Sequence, residues 1–268
     1  MTEPTASSAH QDVRTEIDGE VLVITLDRPK ANAVDAPTSR AMYQAFAALR
    51  DDPALRVGIL TGAGERFFSA GWDLKAAAAG EPPDADWGPG GFAGVTEMVD
   101  LGKPLIAAVN GMAMGGGFEL ALAADLMVVA DHAEMALTEA RLGLVADAGG
   151  LLRIPRRVPR AVAAELLLTG RRMGAAEAGR WGLANAVVPL DALMSTARDL
   201  AAQICACAPL SVAAVLEILR ETEGQSVREG FATLRRGLPA HARVGTSLDA
   251  KEGALAFVQG RPPRWQGR

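Results

Sequence analysis

Two short runs, Val13 to Asp18 and Val21 to Asp27, alternate polar with apolar residues on either side of Asp18-Gly19. An Asp-Gly pair between alternating runs predicts a β-hairpin. Arg28 to Ala33 breaks the alternation and reads as a loop. From Thr38 to Arg50, Met42, Phe46 and Leu49 recur on one face and predict an amphipathic helix. Val57 to Thr61 then reads as a buried strand. The stretch Gly64 to Gly94 holds Pro82-Pro83 and Gly88-Pro89-Gly90-Gly91, so it cannot carry one long regular element. Loops of that length are usually lids, binding loops or disordered. Beyond it come a strand at Leu105 to Val109, a turn at Asn110-Gly111 and a helix at Phe118 to Ala124. Leu126 to Ala130 and Met135 to Leu137 read as two further strands. From Ala161 nearly everything reads helical. The segments Asp191–Cys207, Leu210–Arg220, Val227–Leu238 and Ser247–Val258 are punctuated by Pro209, Gly224 and Gly245.

Strands and helices therefore alternate to about residue 190 and only helices follow. This predicts an α/β core over residues 13–190 and a helical module over 191–268. Residues 1–12 read as a disordered leader. They lack the basic and apolar regions of a secretory signal and are too acidic for a transit peptide. No run approaches the roughly 18–20 apolar residues that span a bilayer, so a cytoplasmic protein without a membrane partner is expected. Against 27 Lys and Arg stand 32 Asp and Glu, a formal charge of −5. That balance argues against nucleic acid, which asks for a basic surface. Cys205 and Cys207 read as small helix residues in a reducing compartment. His10, His132 and His241 are scattered, none at ligand spacing from a second His or Cys, so no metal site is expected.

The segment with the most chemistry runs from Val109 to Ala121. A strand feeds Gly115-Gly116-Gly117, and the glycines feed a helix. Consecutive glycines let the backbone approach a ligand closely and expose N–H groups at a helix start. Such groups stabilise a bound phosphate or a developing oxyanion. Glu139 follows at about the distance of a dinucleotide-binding acid. However, the glycines fall as G-x-x-x-G-G-G rather than G-x-G-x-x-G, and no Gly-Lys-Ser/Thr follows. Glu119 sits in the first turn of an otherwise apolar helix, where the helix dipole favours a carboxylate. Glu139 is again a lone acid among apolar residues, with a salt bridge to Arg141 or a helix cap as its ordinary role. Two carboxylates facing one cavity can hold a water between them, one taking its proton while the other gives a proton to carbon. The turn within Arg66 to Lys75 is able to supply a second exposed N–H.

Together, Phe68-Ser-Ala-Gly-Trp-Asp-Leu-Lys, Asn110-Gly-Met-Ala-Met-Gly-Gly-Gly-Phe-Glu-Leu-Ala and Thr138-Glu-Ala-Arg-Leu-Gly resemble the enoyl-CoA hydratase/isomerase (crotonase) family, and the likeness runs from Val21 to the C-terminus. The resemblance implies a crotonase-like spiral of ββα units with a helical C-terminal trimerisation module, assembled as a homotrimer or a dimer of trimers. It implies an acyl-CoA substrate and no cofactor, coenzyme A being part of the substrate. It places the oxyanion donors at the backbone N–H groups of Trp72 and Gly116 and the paired acids at Glu119 and Glu139. Glu119 would then handle the water and Glu139 the α-proton. Reversible hydration is the leading activity and double-bond isomerisation the alternative. Coenzyme A is expected along Arg28, Lys30, Ala31, Ala70, Asp73 and Leu74. Phe257 matches a family position on the last helix, while Gly260 stands where lysine is common and Arg261 is its substitute.

The segments Ala70-Gly-Trp-Asp-Leu-Lys-Ala-Ala-Ala, Pro83-Asp-Ala-Asp, Gly88-Pro-Gly-Gly-Phe-Ala-Gly and Trp265-Gln-Gly-Arg carry a finer likeness, to family members whose acyl chain bears a quaternary ammonium. Aromatic faces and carboxylates suit such a cation. Trp72, Trp87 and Phe92, with Asp84, Asp86 or Glu97, are accordingly expected to shape the acyl pocket.

Overall fold

In the computed structural model, which describes residues 12–268, the first elements are the expected hairpin. β1 (Val13–Asp18) pairs antiparallel with β2 (Val21–Leu26), and Gly19 turns the chain at φ +60°, a left-handed setting open to glycine. Of the expected leader, residues 1–11 lie outside the described residues. Asp12 belongs to the fold, its carbonyl accepting from the Asp27 N–H at 2.8 Å.

The chain then repeats one step: a buried strand, a short strand in a second layer, a helix. β2 leads to β3 (Ala33–Val34) and α1 (Ala36–Asp51). β4 (Val57–Gly62) leads to β5 (Phe67–Ser69), β6 (Gly71–Trp72) and α2 (Leu74–Ala78). β7 (Leu105–Val109) leads to β8 (Met112–Met114) and α3 (Gly116–Leu122). β9 (Leu126–Ala130) leads to β10 (Glu134–Ala136), a 3-10 turn at Glu139–Leu142 and α4 (Gly150–Arg157). This is the spiral of ββα units. After α5 (Arg160–Thr169), β11 (Met173–Gly174), α6 (Ala175–Arg180) and β12 (Ala186–Val188), only helices follow: α7 (Leu190–Cys205), α8 (Pro209–Glu221), α9 (Val227–Arg236), α10 (Pro239–Val244) and α11 (Leu248–Gln259).

The large sheet runs β1-β2-β4-β7-β9-β12, parallel from β2 onward, and a smaller one runs β11-β10-β8-β5. Because side chains alternate along a strand, the large sheet buries two separate apolar sets. Val23, Val57, Ile59, Ile106, Ala108 and Val128 face Leu193, Ala197 and Ala201 of α7. Ile24, Leu26, Leu60, Leu105, Ala107 and Val129 join the main core, where the predicted Met42, Phe46 and Leu49 of α1 are fully buried. Burial on both faces explains why β4, β7 and β9 read as continuous apolar runs.

Several boundaries differ from expectation for identifiable reasons. α1 begins at Ala36 rather than Thr38 because the Asp35 carboxylate accepts from the Thr38 N–H at 2.9 Å, with Pro37 in the first turn. α3 begins at Gly116, since two of the glycines form its first turn. The span Val227–Leu238 is broken at Gly237, φ +94°, before Pro239 opens α10. β11 and β12 interrupt the run that reads as helical from Ala161; strands of two or three residues show no period. β12 is fixed through Asn185, whose side chain accepts from Met127 N–H and whose N–H donates to Met127 O, both at 2.8 Å.

The glycine- and proline-rich stretch between α2 and β7 is a strap packed into the core. Phe92, Ala93, Val95, Met98 and Leu101 are all buried there. Gly94, at φ +74°, lies so near α1 that a Cβ would stand 2.2 Å from Tyr43 N. The Ser39 hydroxyl pins the strap by donating to the carbonyl oxygens of Trp87 and Gly91 at 2.8 and 3.0 Å. Among the described residues, no single helix is long and apolar enough to cross a membrane. α7 and α8 meet that measure only as a pair bent by 105°.

Candidate active site

The three glycines are dictated by what crowds them. A Cβ on Gly115 would lie 2.9 Å from Glu139 Oε1, one on Gly116 2.6 Å from the Phe92 ring, and one on Gly117 2.2 Å from Ser69 O. Three separate segments thus converge on the start of α3. Gly115 caps the helix at φ +54° and its carbonyl accepts from the N–H groups of Phe118 and Glu119. Gly116 and Gly117 fill the first positions of the helix, whose N–H groups have no acceptor inside it. They point outward at the positive end of the dipole.

The second predicted donor is built from the loop before β3. Ser69 Oγ donates to Asn32 O at 2.7 Å and accepts from the Gly71 N–H at 3.1 Å. Gly71, at φ +79°, comes so close to α3 that a Cβ would stand 2.7 Å from Gly116 N. The backbone of Trp72 therefore sits beside that of Gly116, and both residues line one cavity. The Trp72 indole donates to Glu81 Oε1 at 2.8 Å, and the other oxygen of Glu81 accepts from the Ala36 N–H. A T-shaped series of rings follows, Trp72 to Trp87 at 6.5 Å and Trp87 to Phe92 at 5.1 Å.

Both glutamates reach the same cavity. Glu119 is only 3% exposed, and Oε1 accepts from the Gly150 N–H at 2.8 Å, at the start of α4. A Cβ on Gly150 would lie 3.0 Å from that oxygen, so glycine is what lets the helix end meet the carboxylate. Burial outweighs this bond and, with the charges of Glu139 and Asp147, pushes the Glu119 carboxyl up to about 8. Glu139 is half-buried, and burial, with Asp147 adding to it, also raises its carboxyl. Its Oε2 is buried without a partner among the described residues, an uncommon and costly state for a carboxylate oxygen. Two acids held above their usual range in one cavity retain a proton between them at neutral pH.

The cavity has a volume of about 390 Å³. Of the residues singled out in the sequence, Ala70, Trp72, Leu74, Trp87, Phe92, Gly116, Glu119 and Glu139 line it, whereas Arg28, Lys30, Ala31, Asp73 and Phe257 do not. The Arg28 guanidinium is committed to Asp35 and Asp73, both at 2.7 Å, and to the Ala33 carbonyl, so it ties the loop before β3 to the caps of α1 and α2. Lys30 is exposed, and the Ala31 carbonyl accepts from the Ala70 N–H at 2.9 Å. Phe257 projects from α11, 88% exposed. Arg261 is paired with Glu252 at 2.6 Å rather than free.

The carboxylates expected beside the rings do not line the cavity. Asp84, Asp86 and Glu97 are exposed and off the cavity wall, Asp86 facing Arg40. Asp147 lines the cavity instead, with Thr138 and the loop Leu142 to Val145. The sequence did carry a sign of it: Ala146-Asp147-Ala148-Gly149-Gly150 is a second glycine turn opening a helix, like the one at Gly115.

This fold and site define a known class: the chain belongs to the enoyl-CoA hydratase/isomerase family, whose profile matches residues 16–268. Among its relatives, the carnitinyl-CoA dehydratase of Proteus mirabilis is 59% identical over 96% of this chain and 99% of that protein. The carnitinyl-CoA dehydratase of Salmonella arizonae is also 59% identical, again over 96% and 99%. Among solved structures, an enoyl-CoA hydratase from Mycobacterium marinum superposes with a TM-score of 0.88 at 46% identity, covering 96% of this chain and 99% of that one. A carnitinyl-CoA hydratase from Mycobacterium avium gives 0.75 at 42% identity, covering 97% and 100%.

Proposed function

We propose that this protein is a hydro-lyase that interconverts carnitinyl-CoA and crotonobetainyl-CoA by loss and addition of water. The observation that carries the reading is the pair Glu119 and Glu139, two raised carboxyls on the cavity wall that Gly116 and Trp72 share. In the hydration direction, the ionised member of the pair takes a proton from water as its oxygen bonds to the β-carbon. The protonated member delivers its proton to the α-carbon, so the pair ends with one proton, as it began. Negative charge gathers on the thioester oxygen between these events. Two backbone N–H groups meet it there, each worth about 2.7–4 kcal/mol in comparable sites. The acyl chain is assigned from the likeness to the Proteus and Salmonella dehydratases and from the rings of Trp72, Trp87 and Phe92 on the wall.

Coenzyme A enters past Ala70 and Leu74 with Lys30, Ala31 and Asp73 at its rim, while Arg28 acts by fixing that rim. No metal or redox cofactor is called for. The helices after residue 190 form the oligomerisation module of a homotrimer or a dimer of trimers, a reading supported by the exposed Phe231, Leu255, Phe257 and Val258. Phe257 then reaches a neighbouring subunit's substrate. The protein works in the cytoplasm.

The test is to supply crotonobetainyl-CoA and crotonyl-CoA in parallel and follow loss of enoyl-thioester absorbance with Glu119→Gln and Glu139→Gln alongside. Preference for crotonobetainyl-CoA, abolished in both variants, is the expected result. Preference for crotonyl-CoA would keep hydration and remove the carnitinyl assignment. A shifted double bond without added water would make the protein an isomerase.

A further inference from the structure

The cavity holds one acid more than hydration uses. Glu119 and Glu139 supply the base and the acid, yet Asp147 also lines the wall. No lining residue is Lys, Arg or His. Among the described residues, no hydrogen bond or ion pair holds the Asp147 carboxylate. It stands close enough to both glutamates to help raise each of them. Asp147 is exposed and its charge is carried by solvent, yet it shares a wall with two other acids, a like-charge arrangement that an entering cation relieves.

The chemistry of the substrate places a cation there. In carnitinyl-CoA the β-carbon, which carries the hydroxyl, is bonded to the carbon that bears the trimethylammonium. A group so near the reacting centre must lie in the same cavity as the glutamates. A quaternary ammonium has no N–H to donate, so it is recognised only through charge and aromatic faces. The wall offers both, the rings of Trp72, Trp87 and Phe92 and the Asp147 carboxylate.

We infer that Asp147 is the residue that selects a cationic acyl chain, the trimethylammonium lying between its carboxylate and the aromatic rings of the same cavity. The inference rests on the function proposed above and names the group that sets its specificity. Asp147 exchanges no proton with the substrate in this scheme, so its removal should cost the cationic chain more than an uncharged one, even though the Asp147 charge also bears on the two glutamates.

The experiment compares crotonobetainyl-CoA with 5,5-dimethylhex-2-enoyl-CoA, in which carbon replaces the ammonium nitrogen and the shape is kept. Wild-type protein, Asp147→Asn and Asp147→Glu are assayed for kcat and KM on each. Wild-type protein should prefer the cationic chain. Asp147→Asn should reduce that preference roughly tenfold, the scale of one charge pair in a partly solvated site, chiefly through the KM for crotonobetainyl-CoA. Turnover of the neutral chain should change less than that of the cationic one, and Asp147→Glu should restore part of the preference. If wild-type protein shows no preference for the cationic chain, the carnitinyl reading falls and the role of Asp147 with it. If the preference is present and survives in Asp147→Asn, the reading stands and only the assignment to Asp147 is overturned. An equal loss on both chains would assign Asp147 to the chemistry or the fold, and overturns the inference as well.

Discussion

Replacing Glu119 by glutamine should stabilise the protein, and increasingly so as pH rises. The carboxyl is 3% exposed and held up to about 8, against 4.5 for an ordinary glutamate. Between those values the folded state binds a proton that the unfolded state has lost, so stability falls as pH rises through the interval. About three and a half pH units at roughly 1.4 kcal/mol each give a ceiling of about 5 kcal/mol above pH 8. Relaxation and the shared proton with Glu139 reduce this to an expected 2–4 kcal/mol, on the order of what burying an uncompensated charge costs. A glutamine at this site still accepts the Gly150 N–H bond but never has to ionise, so it escapes the penalty. Urea unfolding of wild-type and variant protein, at fixed protomer concentration and at steps from pH 5 to pH 9, reads the difference directly. The two curves should nearly coincide at pH 5 and separate progressively, with the variant above. A gap independent of pH, or one that closes toward pH 9, would refute the placement of a protonated acid at residue 119.

Three further outcomes are expected. Glu139→Gln should lower kcat for hydration by at least about 10²-fold, the usual contribution of a positioned acid or base, with the thermal midpoint held or raised because the side chain no longer has to ionise. Gly117→Ala should destabilise by about 2–3 kcal/mol, the typical cost of overpacking, because its Cβ would meet Ser69 O at 2.2 Å; differential scanning calorimetry measures it. Arg28→Met leaves Asp35 and Asp73 without their cation, so it should raise the KM for acyl-CoA several-fold. Hydrogen bonds from Thr38, with Arg28 adding to them, hold the Asp35 carboxyl below its usual range, and the Arg28 hydrogen bond does so for Asp73, so wild-type stability from this cluster is present above pH 4 and lost as pH falls further. The variant should show a smaller acid-side loss, because the Thr38 bonds to Asp35 remain, and a pH series of melting curves tests this.

The layered fold was readable because strands buried on both faces, such as Leu105–Val109, show themselves as uninterrupted apolar runs, and because α1 repeats with helical period. The short strands of the second layer were not: Met112–Met114 and Ala186–Val188 are too brief to carry a period and are defined by the neighbours they pair with. At the site, Glu119 and Glu139 stood out as charges in apolar surroundings. Asp147 was passed over although it too is a lone acid among apolar and glycine residues, Leu144 to Leu152, because it lies in a loop rather than in a strand or helix. The expectation of Asp84, Asp86 and Glu97 came from their closeness to Trp87 and Phe92 in the chain, but the strap turns them away from the cavity wall.

The crowding around Gly115 to Gly117 separates this protein into a part that cannot vary and a part that can. The start of α3, which carries one of the two proposed oxyanion donors, is wedged between the Ser69 turn, the Phe92 ring and Glu139, where no side chain fits. The cavity-wall residues proposed to meet the acyl chain hang instead from the strap and from the loop before α4. Substitutions in those two segments are therefore free to change which thioester is accepted while the reaction itself persists. A laboratory search for new substrates would gain most by confining its diversity to residues 83–87 and 142–148 and leaving the glycine turn and the Phe92 ring against it untouched.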